Sequence, residues 1–366
     1  MGPPRHLSLL PALNAQRIAW PVPFADGLEI LAGFKDRKVV VLASGDPFWF
    51  GSGSSIARRF RPDEWVALPG ISTFALAANR MGWALQDTAC FGLHAAPMSR
   101  MRSALADGQN MLVLLRDGAA VHSLTQYLRD AGFGTSTITA LEALGGPRER
   151  ICRFEAKDLD DSQSFEHPVC AAIAVTGAGP ALPLASGRPN TWFDNDGQIT
   201  KPPVRAMTLS ALAPRPFDHL WDIGGGSGSI GIEWLLTHPS LRATSIEPRP
   251  DRVERIRQNA LCLGVDRLEV ITGTAPQALA GLDPPDAVFV GGGLSPELLD
   301  WLTQELPRNT RLVVNAVTLE TEALLTSAQA VHGGDLMRVE LAMAGPLGSK
   351  RGWKSAFPIV QWSLTL

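Results

Sequence analysis

Residues 219–236 read His219-Leu220-Trp221-Asp222-Ile223-Gly224-Gly225-Gly226-Ser227-Gly228-Ser229-Ile230-Gly231-Ile232-Glu233-Trp234-Leu235-Leu236, and this order decides the fold of the second half. An apolar strand, His219 to Ile223, runs into a glycine turn, and Ile230 to Leu236 follows as a helix. Glycines let a backbone approach a ligand and take positive φ, and the helix start presents unpaired N–H groups. Gly226, Gly228 and Gly231 also satisfy G-x-G-x-x-G, so the turn alone leaves a dinucleotide-binding oxidoreductase open.

Two acids move the balance. Asp222 stands directly before the glycines, where a carboxylate suits the cationic methionine end of S-adenosyl-L-methionine better than an anionic pyrophosphate. Glu247 closes the next strand, Ala243 to Ile246, where it can accept both ribose hydroxyls. Strands at Leu268–Thr272, Ala287–Val290 and Arg311–Asn315 continue the series with helices between them. Leu336–Ala344 and Phe357–Leu364 then leave no room for a helix, which predicts a terminal antiparallel hairpin. A dinucleotide domain keeps alternating, whereas this ending resembles the seven-stranded sheet of class I methyltransferases. Gly273-Thr274-Ala275-Pro276 follows the third strand, which puts Thr274 where such enzymes often hold the adenine amino group, unless it is a plain loop residue.

Working outward, the first half also alternates. Strands are expected at Lys38–Ala43, Trp65–Leu68, Met111–Leu115, Ser136–Leu141 and Cys170–Val175, with helices at Ser54–Phe60, Ser72–Met81 and Ala119–Ala131. From Thr176 to Pro203 the chain is dense in Gly, Pro, Asn and Asp without sustained periodicity. The expectation is two α/β domains, 1–176 and 200–366, joined by a linker over 177–199. A chain of 366 residues also exceeds what one hydrophobic core ordinarily serves.

A net charge of −3 gives no reason to expect nucleic acid or an anionic membrane as partner. Cys90, Cys152, Cys170 and Cys262 lie far apart with no C-x-x-C pair, so no metal site is expected; they read as reduced core thiols of a cytoplasmic protein. No apolar run reaches the ~18 residues of a membrane span, and the start at Met1-Gly2-Pro3-Pro4 has neither a signal-peptide apolar core nor the pattern for myristoylation.

Lys201-Pro202-Pro203-Val204-Arg205-Ala206-Met207-Thr208-Leu209, the glycine turn, Val288-Phe289-Val290-Gly291-Gly292-Gly293 and Asn315-Ala316-Val317-Thr318-Leu319-Glu320-Thr321 together resemble the decarboxylating precorrin methyltransferases of cobalamin biosynthesis. That resemblance spans 198–366 and implies a cofactor cleft of Thr200, Asp222, Gly224, Gly225, Gly226, Ser227, Gly228, Glu247, Thr274 and Ala275. The first half resembles the tetrapyrrole methylases through Ser44-Gly45-Asp46-Pro47-Phe48-Trp49-Phe50-Gly51, Pro69-Gly70-Ile71-Ser72-Thr73-Phe74, Leu93-His94 and Glu142-Ala143-Leu144-Gly145-Gly146. There Gly45, Asp46, Ser72 and Thr73 are the implied cofactor residues, with the plainer alternative that Asp46 is an Asp-Pro turn former. Together the halves resemble the fused family that methylates a precorrin at C5 and C15 and removes carbon dioxide from an acetate side chain.

Two departures stand out. The family's opening strand and Gly-x-Gly-x-Gly loop have no counterpart before Arg5-His6-Leu7, and its Leu-His-Gly-Arg becomes Leu93-His94-Ala95-Ala96. The first half is therefore expected to be either a second methyltransferase or a scaffold that holds substrate. Methylation of a ring carbon needs alignment rather than a covalent nucleophile. Arginines are the natural grips for precorrin carboxylates. Lys201, Arg205, Asn315, Thr318 and Glu320 are the candidates for handling substrate, with plainer alternatives: an ion pair for Arg205, a turn cap for Asn315 and a helix-start acid for Glu320. His94 faces the macrocycle or is an interior histidine. The resemblance also implies a homo-oligomer.

Overall fold

A computed structural model describes residues 1–34 and 36–366, which fold as two compact units. Unit 1 comprises 1–96 and 106–179; unit 2 comprises 97–105 and 180–366.

Unit 1 begins with α1 (Pro4–Leu7), α2 (Phe24–Ala32), α3 (Gly53–Ala57) and α4 (Thr73–Met81). Then come β1 (Thr88–Gly92), β2 (Asn110–Leu114), α5 (Ala119–Asp130), β3 (Thr137–Glu142), β4 (Arg150–Glu155) and β5 (Val169–Ala174). The sheet runs β1-β2-β5-β3-β4, with β1 and β2 parallel and the other pairs antiparallel. Phe74, Ala77 and Ala78 of α4 pack against Leu112, Leu141, Cys170 and Ala172 of the sheet. Ser72 caps α4, its Oγ accepting from Ala75 N–H at 3.1 Å, and Gly82 ends it in the left-handed region at φ +67°.

Two strand expectations are corrected here. Among the described residues Lys38–Ala43 and Trp65–Leu68 are extended but join no sheet; the first bonds only to Met1, through Val40 O and Leu42 N–H, and Val40, Val66 and Leu68 stand exposed. Conversely β1 and β4 were not expected. β1 is short and carries small residues, and β4 is an edge strand with charges at Arg150, Arg153 and Glu155.

Unit 2 carries α6 (Pro202–Leu212), β6 (His219–Ile223), α7 (Ser229–Thr237), β7 (Arg242–Glu247), α8 (Pro250–Cys262) and β8 (Glu269–Thr272). It continues with β9 (Ala287–Val290), α9 (Pro296–Glu305), β10 (Arg311–Ala316), α10 (Leu319–His332), β11 (Asp335–Val339), β12 (Ala342–Leu347), β13 (Lys350–Ser355) and β14 (Ile359–Thr365). The seven-stranded sheet runs β11-β14-β10-β9-β6-β7-β8, with only β14 antiparallel to its neighbours. This is the sheet expected of a class I methyltransferase. Both faces are covered. Leu209, Ile230, Trp234 and Ile256 pack one face onto Leu220, Phe289 and Val313; Leu298, Leu302 and Leu325 pack the other onto Trp221, Val288 and Trp362.

The terminal hairpin is more elaborate than expected. β11 and β14 do pair antiparallel, but a separate two-stranded ladder, β12 with β13, turns at Gly348 (φ +58°) between them. The segment 180–199, expected to be linker, folds onto unit 2: Leu182 and Phe193 are buried in its core.

Candidate active sites

The glycine turn of unit 2 grows from a strand bonded on both sides, so its first residues are fixed before any ligand arrives. The N–H groups of Gly224 and Gly225 both donate to Ile246 O, at 2.9 and 3.2 Å, and Gly291 N–H donates to Ile223 O at 2.9 Å. Gly224 takes φ +76°, and a Cβ there would sit 2.8 Å from Gly292 O, so only glycine fits. Gly226 also has positive φ, yet a Cβ there would meet nothing closer than 3.9 Å. Its backbone borders open space, as a ligand-facing turn should.

Both predicted acids converge on this turn. Glu247 accepts from Gly226 N–H at 2.9 Å through Oε2 and from Arg249 N–H at 3.1 Å through Oε1. Asp222 is 1% exposed and accepts from Gly231 N–H at 3.1 Å. Burial, reinforced by the nearby Glu247 charge, pushes the Asp222 carboxyl up to about 7. The buried hydroxyls of Ser227 and Ser245 have no hydrogen-bond partner among the described residues. A cationic amino acid end beside Asp222 and ribose hydroxyls at Glu247 fit this arrangement of raised acid, fixed acid and spare hydroxyls.

Asn259 was not foreseen. Its side chain accepts from Asp194 N–H at 2.8 Å and donates to Asp194 O and Ser227 O, each at 2.9 Å. It thereby ties the glycine turn to the segment before α6. Nothing in the sequence marks it, because a lone asparagine on a helix reads as an ordinary polar residue.

Arg205 is placed differently from the expectation that it grips substrate. Its guanidinium is fully buried: Nε donates to Glu233 at 2.9 Å, Nη1 to Asn190 at 2.9 Å and to Thr200 O, and Nη2 to Arg188 O. The cation also lies 5.1 Å over the Phe193 ring. With no solvent-facing donor, Arg205 is a brace that holds 188–200 against α6 and α7, the ion-pair alternative. Thr200 thus contributes its carbonyl to the brace, and Lys201 is the exposed N-cap of α6.

Asn315, on β10, donates to Thr208 Oγ1 at 2.9 Å and accepts from Gln361 Nε2 at 2.9 Å. Its amide is thereby oriented at the carboxyl edge of the sheet, two strands from Asp222. Thr318 is the N-cap of α10, accepting from Thr321 N–H at 3.3 Å, and Glu320 lies exposed in that helix's first turn. Thr274 is exposed and Ala275 half-buried in the loop after β8.

In unit 1 Gly45 (φ +59°) lies close against α4: a Cβ there would be 3.2 Å from Ser72 Cα. Asp46 closes an Asx turn by accepting from Phe48 N–H at 2.8 Å. Gly45, Asp46, Ser72, Thr73 and His94 all line one cavity of about 430 Å³, within the usual range for small-molecule sites. The turn and helix start that are remote in sequence are therefore brought together. Among the described residues no cluster of His, Cys, Asp or Glu is arranged to hold a metal, and no helix is long and apolar enough to cross a membrane.

A family profile described as a precorrin methyltransferase domain matches residues 191–366, and one described as tetrapyrrole (corrin/porphyrin) methylases matches 29–160. A Sinorhizobium protein named precorrin-6Y C(5,15)-methyltransferase [decarboxylating] is 46% identical over 100% of this chain and 89% of its own length. A Mycobacterium tuberculosis protein of the same name is 37% identical over 100% of this chain and 92% of its own. The crystal structure of the C-terminal domain of precorrin-6Y C5,15-methyltransferase from Rhodobacter capsulatus, 52% identical, aligns with 50% of this chain and 100% of its own at a TM-score of 0.49. With relatives this similar along its whole length, the chain belongs to the family of decarboxylating precorrin-6Y C(5,15)-methyltransferases.

Proposed function

We propose that this chain methylates a precorrin macrocycle at C5 and C15, with S-adenosyl-L-methionine as methyl donor, and decarboxylates an acetate side chain. The observation that carries the cofactor assignment is the convergence of Asp222, the Gly224–Gly228 turn and Glu247 at the adjoining ends of β6 and β7. When bound, the donor supplies an electrophilic methyl group on a sulfonium. Glu247 receives the ribose hydroxyls, Asp222 faces the cationic amino acid end, and the glycine turn allows close approach. The oriented Asn315 amide and the exposed start of α10, with Thr318 and Glu320, stand at the same sheet edge to meet the macrocycle. Loss of carbon dioxide leaves an electron pair that the conjugated ring takes up on protonation, so a proton donor is needed there.

Residues 1–176 are assigned a second methyl transfer at the cavity beside Gly45 and Ser72, and 200–366 the transfer coupled to decarboxylation. A second reading makes the first half a scaffold that holds substrate. It is favoured by the apolar runs at 38–43 and 65–68, which join no sheet among the described residues; Met1, bonded to Val40 O and Leu42 N–H, is what holds the run before the Gly45 turn.

Isothermal titration of S-adenosylhomocysteine into the full chain separates these readings. Two sites are expected, one of them weakened about 10- to 100-fold by Glu247→Ala, the cost of losing hydrogen bonds to a charged acceptor. One site, lost in the variant, would leave the scaffold reading; no binding would end both.

The chain is further assigned a homo-oligomer, with the β12–β13 hairpin as the contact. Among the described residues that ladder pairs only with itself, and it exposes Met343, Leu347 and Trp353, the last by 78%. Trp353→Ser should lower the mass measured by light scattering, and an unchanged mass would exclude the hairpin. A reducing cytoplasm suits its four free cysteines.

A further inference from the structure

The cavity of unit 1 holds an arginine that the proposed chemistry has not used. Among the described residues Arg5 supplies the only Lys or Arg side chain on the lining, and Asp46 the only carboxylate. Asp46 is engaged by Phe48 N–H. Arg5 has no carboxylate partner among the described residues. Its bonds go to a hydroxyl and two imidazoles instead: Nη2 donates to Ser44 Oγ at 2.8 Å, Nη1 meets His167 Nε2 at 3.1 Å, and Nε donates to His6 Nε2 at 3.4 Å. Ser44 Oγ is also 2.9 Å from His6 Nε2, which closes a ring of contacts around the guanidinium. Burial, with the adjacent Arg5 charge, holds His6 below its ordinary range, so this imidazole accepts rather than competes as a cation.

Such a brace fixes the direction of the fork while leaving its charge uncompensated. A further N–H remains on each terminal nitrogen, the number a bidentate carboxylate needs. Trp20, Trp49, Phe50 and Phe74 border the same cavity, so flat apolar surface lies beside the cation. We infer that Arg5, oriented by Ser44, His6 and His167, anchors a carboxylate side chain of the flat ligand that enters this cavity. The inference rests on the proposed reading of the cavity as a macrocycle site. It assigns the anchor to a guanidinium held without a carboxylate, which neither the glycine turn nor the α4 start supplies.

The test is titration of the full chain with uroporphyrin, a polycarboxylate tetrapyrrole, followed by its absorbance change, with the melting temperature checked for each variant. Arg5→Gln keeps a donor for Ser44 and removes the charge; it should weaken binding about 10- to 100-fold, the scale of a lost charge-assisted pair. Arg5→Lys should fall between, since it keeps the charge without the fork. Trp49→Ala tests the cavity itself. If Trp49→Ala weakens binding and Arg5→Gln does not, the anchor is overturned while the cavity reading stands. If the wild type fails to bind, or neither variant changes its affinity, the cavity reading falls and the anchor with it.

Discussion

The two glycine turns of this chain meet the same need from opposite starting points. In unit 2 the turn at Gly224 leaves a central strand whose five residues are all buried, and its N–H groups are bonded back to β7 before the turn is complete. In unit 1 the turn at Gly45 leaves an apolar run that belongs to no ladder. It is held by an Asx turn and by Gly53 N–H donating to Pro47 O at 2.8 Å, with Trp49 and Phe50 half exposed. A ligand turn inherits its rigidity from the sheet beneath it. The turn of unit 2 is therefore expected to be ready for cofactor before binding, and that of unit 1 to rely more on what fills its cavity.

The charges divide in the same way, and the largest expected effect follows from that. Arg205 and Glu233 are both fully buried; Arg205→Ala leaves Glu233 to Arg188, 3.7 Å away, and to the N–H groups of Gly187 and Arg188, but it removes the hydrogen bonds to Asn190 and to the Thr200 and Arg188 carbonyls, and should cost about 3 kcal/mol. Arg80 and Glu149 of unit 1 make a 2.7 Å pair in reach of solvent, and Arg80→Ala should cost under about 1 kcal/mol. Urea denaturation of both variants checks the contrast. Equal costs would mean that the buried brace is not what holds 188–200 in place.

An intermediate effect is expected at Asp222. Its carboxyl is raised to about 7 in the folded chain from 3.8, so the stability it contributes is present below about pH 4 and is lost as pH rises through 7. Asp222→Asn should therefore raise the melting temperature at pH 8 by several degrees, on the scale of ~2–4 °C per kcal/mol, and leave it unchanged at pH 4. Binding runs the other way. A cationic ligand favours the charged acid, so S-adenosylmethionine affinity should weaken toward about tenfold per pH unit below 7, and this slope should vanish in the variant. A pH-independent affinity in the wild type would detach Asp222 from the cationic end.

The same contrast explains what was legible in the sequence. The five parallel strands of unit 2 were readable to within a residue or two, because each is a short apolar run and four of them are closed by glycine or an acid. Glu247 and Asp222 were readable for the same reason: a carboxylate at the end of such a run is conspicuous. Lys38–Ala43 and Trp65–Leu68 carry an equally good apolar signal, but a strand exists only where a neighbour supplies its ladder, and local pattern does not report the neighbour. The brace at Arg205 was readable only as one of two alternatives. Its partner Glu233 sits on another helix, and pairing across that separation leaves no periodic trace. The β12–β13 insertion did leave one, the Gly348-Ser349 turn, which the length of the flanking β-runs concealed.

The smallest expected effect compares two helix caps, each a candidate site residue. Ser72 caps α4 beside Gly45, and Thr318 caps α10 at the sheet edge of unit 2. As caps alone, Ser72→Ala and Thr318→Ala should each cost ~1 kcal/mol, because each frees one N–H of a first turn. The bond of Ser72 is shorter, 3.1 against 3.3 Å, and more sheltered, so its loss should be the greater. Function adds a second axis. If Ser72 also faces cofactor, its variant should weaken S-adenosylhomocysteine binding at the site that survives Glu247→Ala. Thr318→Ala should leave both cofactor affinities intact and slow only turnover of the macrocycle. A Thr318 variant that loses stability but keeps full turnover would reduce that residue to its cap, and with it remove the one hydroxyl that places the start of α10 at the substrate.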